Sequence, residues 1–139
     1  SLLNGLHGAR FCIEHGLTQQ AITILRETLV SVMCRVLGLN WENQEDREIV
    51  SSIPSLKQRP ETEWHGAAAE HREKTKMVIE AMQSDGASLS ILKNLLNIRN
   101  DINHAGINEN PAAAKKFRKN AEALYREIVA WIEQKQIDL

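Results

Sequence analysis

The chain predicts an all-α fold, a bundle of about five helices, and three observations carry that expectation. No stretch alternates apolar and polar residues as a half-buried strand would. Apolar residues instead recur at helical spacing over long windows. Glycine stops and Ser, Thr or Asn-Pro starts punctuate those windows where helices would end and begin.

The first helix runs to about His15, where Gly16 can take the left-handed position that ends it. Thr18 can cap a second helix. Its core face is Ile22, Leu25, Leu29, Val32 or Met33, and Val36, and Gly38 ends it. Residues 40–60 are less regular: a short acidic helix around Glu45–Ser52 precedes a loop with Pro54 and Pro60. A third helix covers Glu61–Gln83, and Ser84-Asp85-Gly86 forms a turn. Ser88 caps the fourth helix, whose buried face is marked by Leu92, Leu95, Leu96 and Ile102. Asn110-Pro111 is a cap followed by proline at the first helical position. The fifth helix then buries Phe117, Ala121, Leu124, Ile128 and Trp131 or Ile132. No repeat follows at a period of about 34 residues, which excludes a tetratricopeptide solenoid.

With 139 residues the chain makes one domain, residues 1–139, large enough for its own core. The formal net charge of −1 argues against general affinity for nucleic acid, so an RNA contact must be local. Cys12 and Cys34 sit inside apolar helical patterns and read as buried thiols of a cytoplasmic protein rather than a disulfide framework. No apolar run reaches membrane-spanning length, so no membrane contact is expected. The chain starts at Ser1 without a methionine, as expected of an excised domain or a trimmed product that lacks an N-terminal part.

Leu95-Leu96-Asn97-Ile98-Arg99-Asn100-Asp101-Ile102-Asn103-His104-Ala105-Gly106 carries the chemistry. At about 100° per residue, Arg99 falls near the centre of the apolar stripe with Asn103 beside it. Asn100 and His104 form a neighbouring pair one turn apart. A guanidinium on an interior face is costly unless paired or given a task. A satisfied interface arginine and a histidine capping the helix before Gly106 would also fit the pattern.

Arg99-Asn100-Asp101-Ile102-Asn103-His104 resembles the Arg-(four to six residues)-His signature of HEPN domains, with Asn100 as the polar residue after the arginine. Asn103-His104-Ala105-Gly106 looks like the versions found in ancillary ribonucleases of type III CRISPR systems. Ala9-Arg10-Phe11-Cys12-Ile13-Glu14-His15-Gly16-Leu17-Thr18-Gln19-Gln20-Ala21 is similar to the start of HEPN regions in those antiviral defence proteins. The resemblance implies a metal-independent endonuclease acting on single-stranded RNA. It also implies a homodimer whose two motifs face each other in one composite site. It further implies an N-terminal CARF sensor for cyclic oligoadenylate, of which this chain shows no trace.

The residue types suit that chemistry. The RNA 2′-hydroxyl is the nucleophile, so cleavage needs proton transfer and charge stabilisation rather than a metal. His104 can take or give the proton. Arg99 offers planar donors to phosphate oxygens. Asn103 can orient phosphate or imidazole, with Asn100 as a second orienter. Lys115, Lys119 and Arg126 share a helical face that can follow an RNA backbone, or be a solvated face with Glu122 pairing to Lys119 or Arg126.

No cofactor is implied, since Gly-rich phosphate loops and dinucleotide fingerprints are absent. His7/His15 and His65/His71 lack the spacing of metal-ligand pairs. Glu70-His71-Arg72-Glu73-Lys74 reads as plain helix surface. Trp41 and Trp64 read as covers of the core edge, and Glu14 and His15 as shaping the turn at Gly16. Two other readings stand beside the ribonuclease of CRISPR defence: a non-catalytic HEPN-like module binding nucleotides or proteins, and a toxin-type HEPN ribonuclease.

Overall fold

The computed structural model describes residues 2–105 and 111–139, with the backbone alone given for residues 102–105. The described residues are helical and contain no strand. Helices α1 (Leu2–Glu14), α2 (Thr18–Val36), α3 (Gln44–Leu56), α4 (Gly66–Glu70), α5 (Arg72–Ser84), α6 (Gly86–Ala105) and α7 (Pro111–Gln134) follow in order, with a 3₁₀ turn at Glu61–Glu63. They divide into two compact units, one of residues 1–29 and 93–139, the other of residues 30–92.

In the first unit α1 packs on α7. Leu6, Ala9 and Ile13 of α1, Ile22 and Leu25 of α2, and Leu95 and Ile98 of α6 are buried. Every expected core position of α7 is buried, both Trp131 and Ile132 included. α1 ends as Gly16 predicts. With Gly16 at φ +73, its N–H donates to Ile13 O at 3.2 Å and the Leu17 N–H to Cys12 O at 2.8 Å. This pair of bonds satisfies carbonyls left over at the helix end. The same pair recurs at Gly38, which closes α2. α1 and α2 approach closely at Gly5, where an added Cβ would strike the Thr28 hydroxyl.

In the second unit α3 packs on α4 and α5. Asn43 caps α3, its Oδ1 accepting the Asp46 N–H at 3.0 Å. Pro54 lies inside α3 rather than in a loop. Its missing N–H costs one bond near the end of a helix that stops at Leu56. The long third helix expected over Glu61–Gln83 is broken twice. Trp64 and His65 are extended, and His71 at φ −123, ψ 59 separates α4 from α5. The fully buried Thr75 hydroxyl lies 3.0 Å from Ala68 O and 2.9 Å from His71 O, accounting for carbonyls that the break frees.

Other boundaries shift by a turn or less. α6 starts at Gly86, two residues before Ser88, whose hydroxyl donates to Asp85 O at 2.8 Å from within the first turn. α2 starts at Thr18, and Leu17 holds the cap position, its carbonyl accepting the Ala21 N–H. Val36 is exposed instead of buried, because it is the last residue of α2. Asn110 lies outside the described residues, and Pro111 is the first residue of α7.

Candidate functional site

Of the four motif residues given a chemical role, two have described side chains, and both lie in the open. Arg99 and Asn100 are both exposed on α6. The expectation that Arg99 sits in the apolar stripe is therefore corrected. The buried arc of α6 runs through Ile91, Leu92, Leu95 and Ile98, and Leu96 is half-buried. Ile98 carries the stripe onward, leaving Arg99 beside it. Among the described residues Arg99 makes no hydrogen bond or ion pair. Asn103 and His104 belong to α6, whose backbone is helical to Ala105, and their side chains lie outside the described part. The helical backbone places Asn103 one turn after Arg99, and His104 one turn after Asn100.

Two cavities open in the first unit, and neither is lined by Arg99 or Asn100. One, of about 270 Å³, lies between α6 and α7 and is lined by Asn94, Asn97, Asp101, Asn120 and Glu127 among others. At about 100° per residue, Asp101 and Arg99 stand on nearly opposite sides of α6. The other, of about 510 Å³, lies where the α1–α2 turn meets the start of α7, and its lining includes Gly16, Thr18, Gln19, Lys115 and Arg118.

The basic face of α7 is thereby split. Lys115, Lys119 and Arg126 are all exposed, but only Lys115 lines the larger cavity. Glu122 takes two cations: Arg118 Nε at 3.5 Å and Arg126 Nη2 at 3.7 Å. Arg118 is thus the cavity residue that the three-residue face omits. Thr18 is another: expected as the helix cap, it is instead the first helical residue, with Leu17 at the cap position.

His15 and Glu14 act locally, as expected. Phe11 stacks on His15 at 4.0 Å between ring centroids, His15 Nδ1 lies 2.8 Å from Phe11 O, and Arg10 pairs with Glu14 at 3.0 Å. Trp41 is exposed at the edge of its unit, and Trp64 is half-buried with the Arg72 guanidinium 6.0 Å from its ring.

The second unit corrects the plain-surface reading of Glu70–Lys74. His71 Nε2 lies 2.8 Å from Glu45 Oε2, Arg72 pairs with Glu61, and Lys74 Nζ donates to Asp46 Oδ1 at 2.9 Å. The break at His71 turns these side chains toward α3 and the 3₁₀ turn. Asp46 is buried and also accepts the Asn40 N–H at 2.9 Å. Burial pushes its carboxyl up, but the hydrogen bonds from Lys74 and Asn40 and the positive charge nearby outweigh that and hold it below the usual value. Ligand atoms of Glu45, Glu70 and His71 gather within 4.8 Å of one another. The His71–Glu45 bond brings two of the three together, and Glu70 lies beside them at the surface. Cys12 and Cys34 are both buried and free, and burial pushes the Cys34 thiol up to about 11.

Among the described residues no helix is long and apolar enough to cross a membrane. No protein-family model, no curated protein and no solved structure matches this chain.

Proposed function

We propose that the chain is a metal-independent endoribonuclease domain of HEPN type, cutting single-stranded RNA by attack of the 2′-hydroxyl on the adjacent phosphate. The observation that carries the reading is the guanidinium of Arg99, exposed on α6 without a partner among the described residues, five positions before His104. A structural arginine would be expected to hold a carboxylate or a carbonyl. Among the described residues Arg99 holds neither, which leaves its donors for phosphate oxygens in this reading.

In this reading Arg99 neutralises charge building on the phosphorane-like transition state. His104 transfers the proton. Asn103 and Asn100 orient phosphate and imidazole. The O2′–P bond forms as the P–O5′ bond breaks, the 2′-hydroxyl proton goes to a base, and the leaving 5′-oxygen receives a proton. One imidazole would have to serve both transfers in sequence, whereas two motifs facing across a two-fold axis would supply a base and an acid together. We therefore assign the active form to a homodimer. Leu95 is no part of that interface, because it is wholly buried in its own chain. Leu96 and position 102 remain as its apolar components. By the same family resemblance the domain would be the effector of a cytoplasmic CRISPR defence protein switched by cyclic oligoadenylate on a separate sensor domain.

Cleavage of labelled single-stranded RNA in excess EDTA tests the reading. Wild-type protein should cut. His104→Ala should lose on the order of 10²–10⁴-fold in rate, the range that a general acid–base group contributes, and Arg99→Ala on the order of 10²–10³-fold, the range for losing one donor to transition-state charge. A His104→Ala protein that cuts at the wild-type rate overturns the assignment, and a binding module would cut nothing.

A further inference from the structure

We propose that the cavity between the α1–α2 turn and the first turns of α7 is a binding site for a phosphate group carried on a nucleotide or an RNA strand. This inference is independent of the cleavage chemistry, because neither Arg99 nor Asn100 lines the cavity.

Three features meet there. The first is the N-terminus of α2, a helix of 19 residues. The N–H groups of Thr18, Gln19 and Gln20 precede the first possible intrahelical bond. Leu17 holds the cap position and has no oxygen on its side chain to accept from them. No other described residue accepts from them either. All three residues line the cavity. Such donors, with the positive end of the helix dipole, make a site for an anion.

The second feature is Thr18 itself. It is only 7% exposed, it lines the cavity, and its hydroxyl makes no hydrogen bond among the described residues. A polar group on so buried a side chain normally finds a partner, and a ligand oxygen in the cavity would provide one.

The third is charge. Lys115 and Arg118 reach the same cavity from α7. Lys115 makes no ion pair among the described residues, and Arg118 is only partly neutralised by Glu122 at 3.5 Å. A leucine at a helix cap, an unbonded threonine and an unpaired lysine are each ordinary. Around one cavity they leave a set of donors with no acceptor among the described residues, which is what a tetrahedral oxyanion supplies. At about 510 Å³ the cavity exceeds the needs of a bare phosphate and falls within the range of small-molecule sites, so the attached nucleoside has room beside it.

The experiment is a ¹H–¹⁵N NMR titration of the full chain at constant ionic strength. His104→Ala serves as background so that no probe is cut. The probes are inorganic phosphate, adenosine 5′-monophosphate, adenosine, and a short single-stranded RNA with and without a 5′-phosphate. Phosphate should shift the Thr18, Gln19 and Gln20 amides saturably, and adenosine should not. Tighter binding of the monophosphate than of phosphate identifies a nucleotide site. Tighter binding of the RNA, with or without its end phosphate, identifies a strand contact. Lys115→Glu should weaken phosphate at least tenfold and Thr18→Val severalfold, while the exposed Lys57→Glu leaves it unchanged; far-UV circular dichroism checks that each variant is folded. Shifts that chloride reproduces, shifts scattered over the surface, or binding indifferent to Lys115→Glu would overturn the proposal.

Discussion

The Lys74 ammonium donates to the Asp46 carboxylate at 2.9 Å, tying α5 to α3 across 28 residues of sequence. Asp46 also holds the chain entering α3 through the Asn40 N–H, while its own N–H is capped by Asn43. One buried carboxylate thus fixes a helix start and a helix pair together.

The direction of its pKa gives a pH dependence. The folded value is lowered, so the carboxylate's contribution is fully present above the unfolded value of about 3.9 and fades as pH falls through the folded value. Asp46→Asn should cost about 1.5–3 kcal/mol at neutral pH, the range for losing a hydrogen bond to a charged group. The gap between variant and wild type should narrow below pH ~4. Urea unfolding at neutral and acid pH measures both; a gap that persists unchanged in acid would show that the charge is not responsible.

Gly5 makes a second stability prediction. Alanine is the better helix former by up to about 1 kcal/mol. Its Cβ, however, would strike the buried Thr28 side chain, and overpacking of that kind costs about 1–3 kcal/mol. Gly5→Ala should therefore lower Tm. Adding Thr28→Ala should recover part of the loss, because the two sites are coupled. A Gly5→Ala protein that melts higher than wild type would refute the close approach.

Much of this architecture was readable from residue order. Gly16 and Gly38 announced their stops because few other residues adopt a positive φ cheaply. The α7 core followed from strict periodicity over a long helix. The break at His71 was hidden because Ala67 through Lys74 has good helix propensity, and the break is held by two long-range partners, Glu45 and Asp46, together with the nearby Thr75 hydroxyl. Arg99 was misplaced for a related reason. An angular pattern defines a stripe but not its centre, and Ile98 shifts the buried arc to one side. The cavity was invisible in sequence, since Thr18 and Lys115 meet only through the fold.

Assembly can be tested apart from chemistry. The composite-site reading predicts a two-fold homodimer in sedimentation equilibrium. A symmetric interface meets each substitution twice. Ile102→Glu should therefore shift the protein toward monomer and reduce RNA cleavage in parallel. A strict monomer that still cuts at high protein concentration would rule out the shared site.

The central claim is cleavage by the RNA's own 2′-hydroxyl, and the ends of the product test it most directly. Single-stranded RNA should be cut in EDTA and its fragments analysed by mass spectrometry. Fragments with 2′,3′-cyclic phosphate and 5′-hydroxyl ends are the result predicted from Arg99 and His104. Fragments ending in 3′-hydroxyl, or cleavage abolished by the chelator, would contradict it.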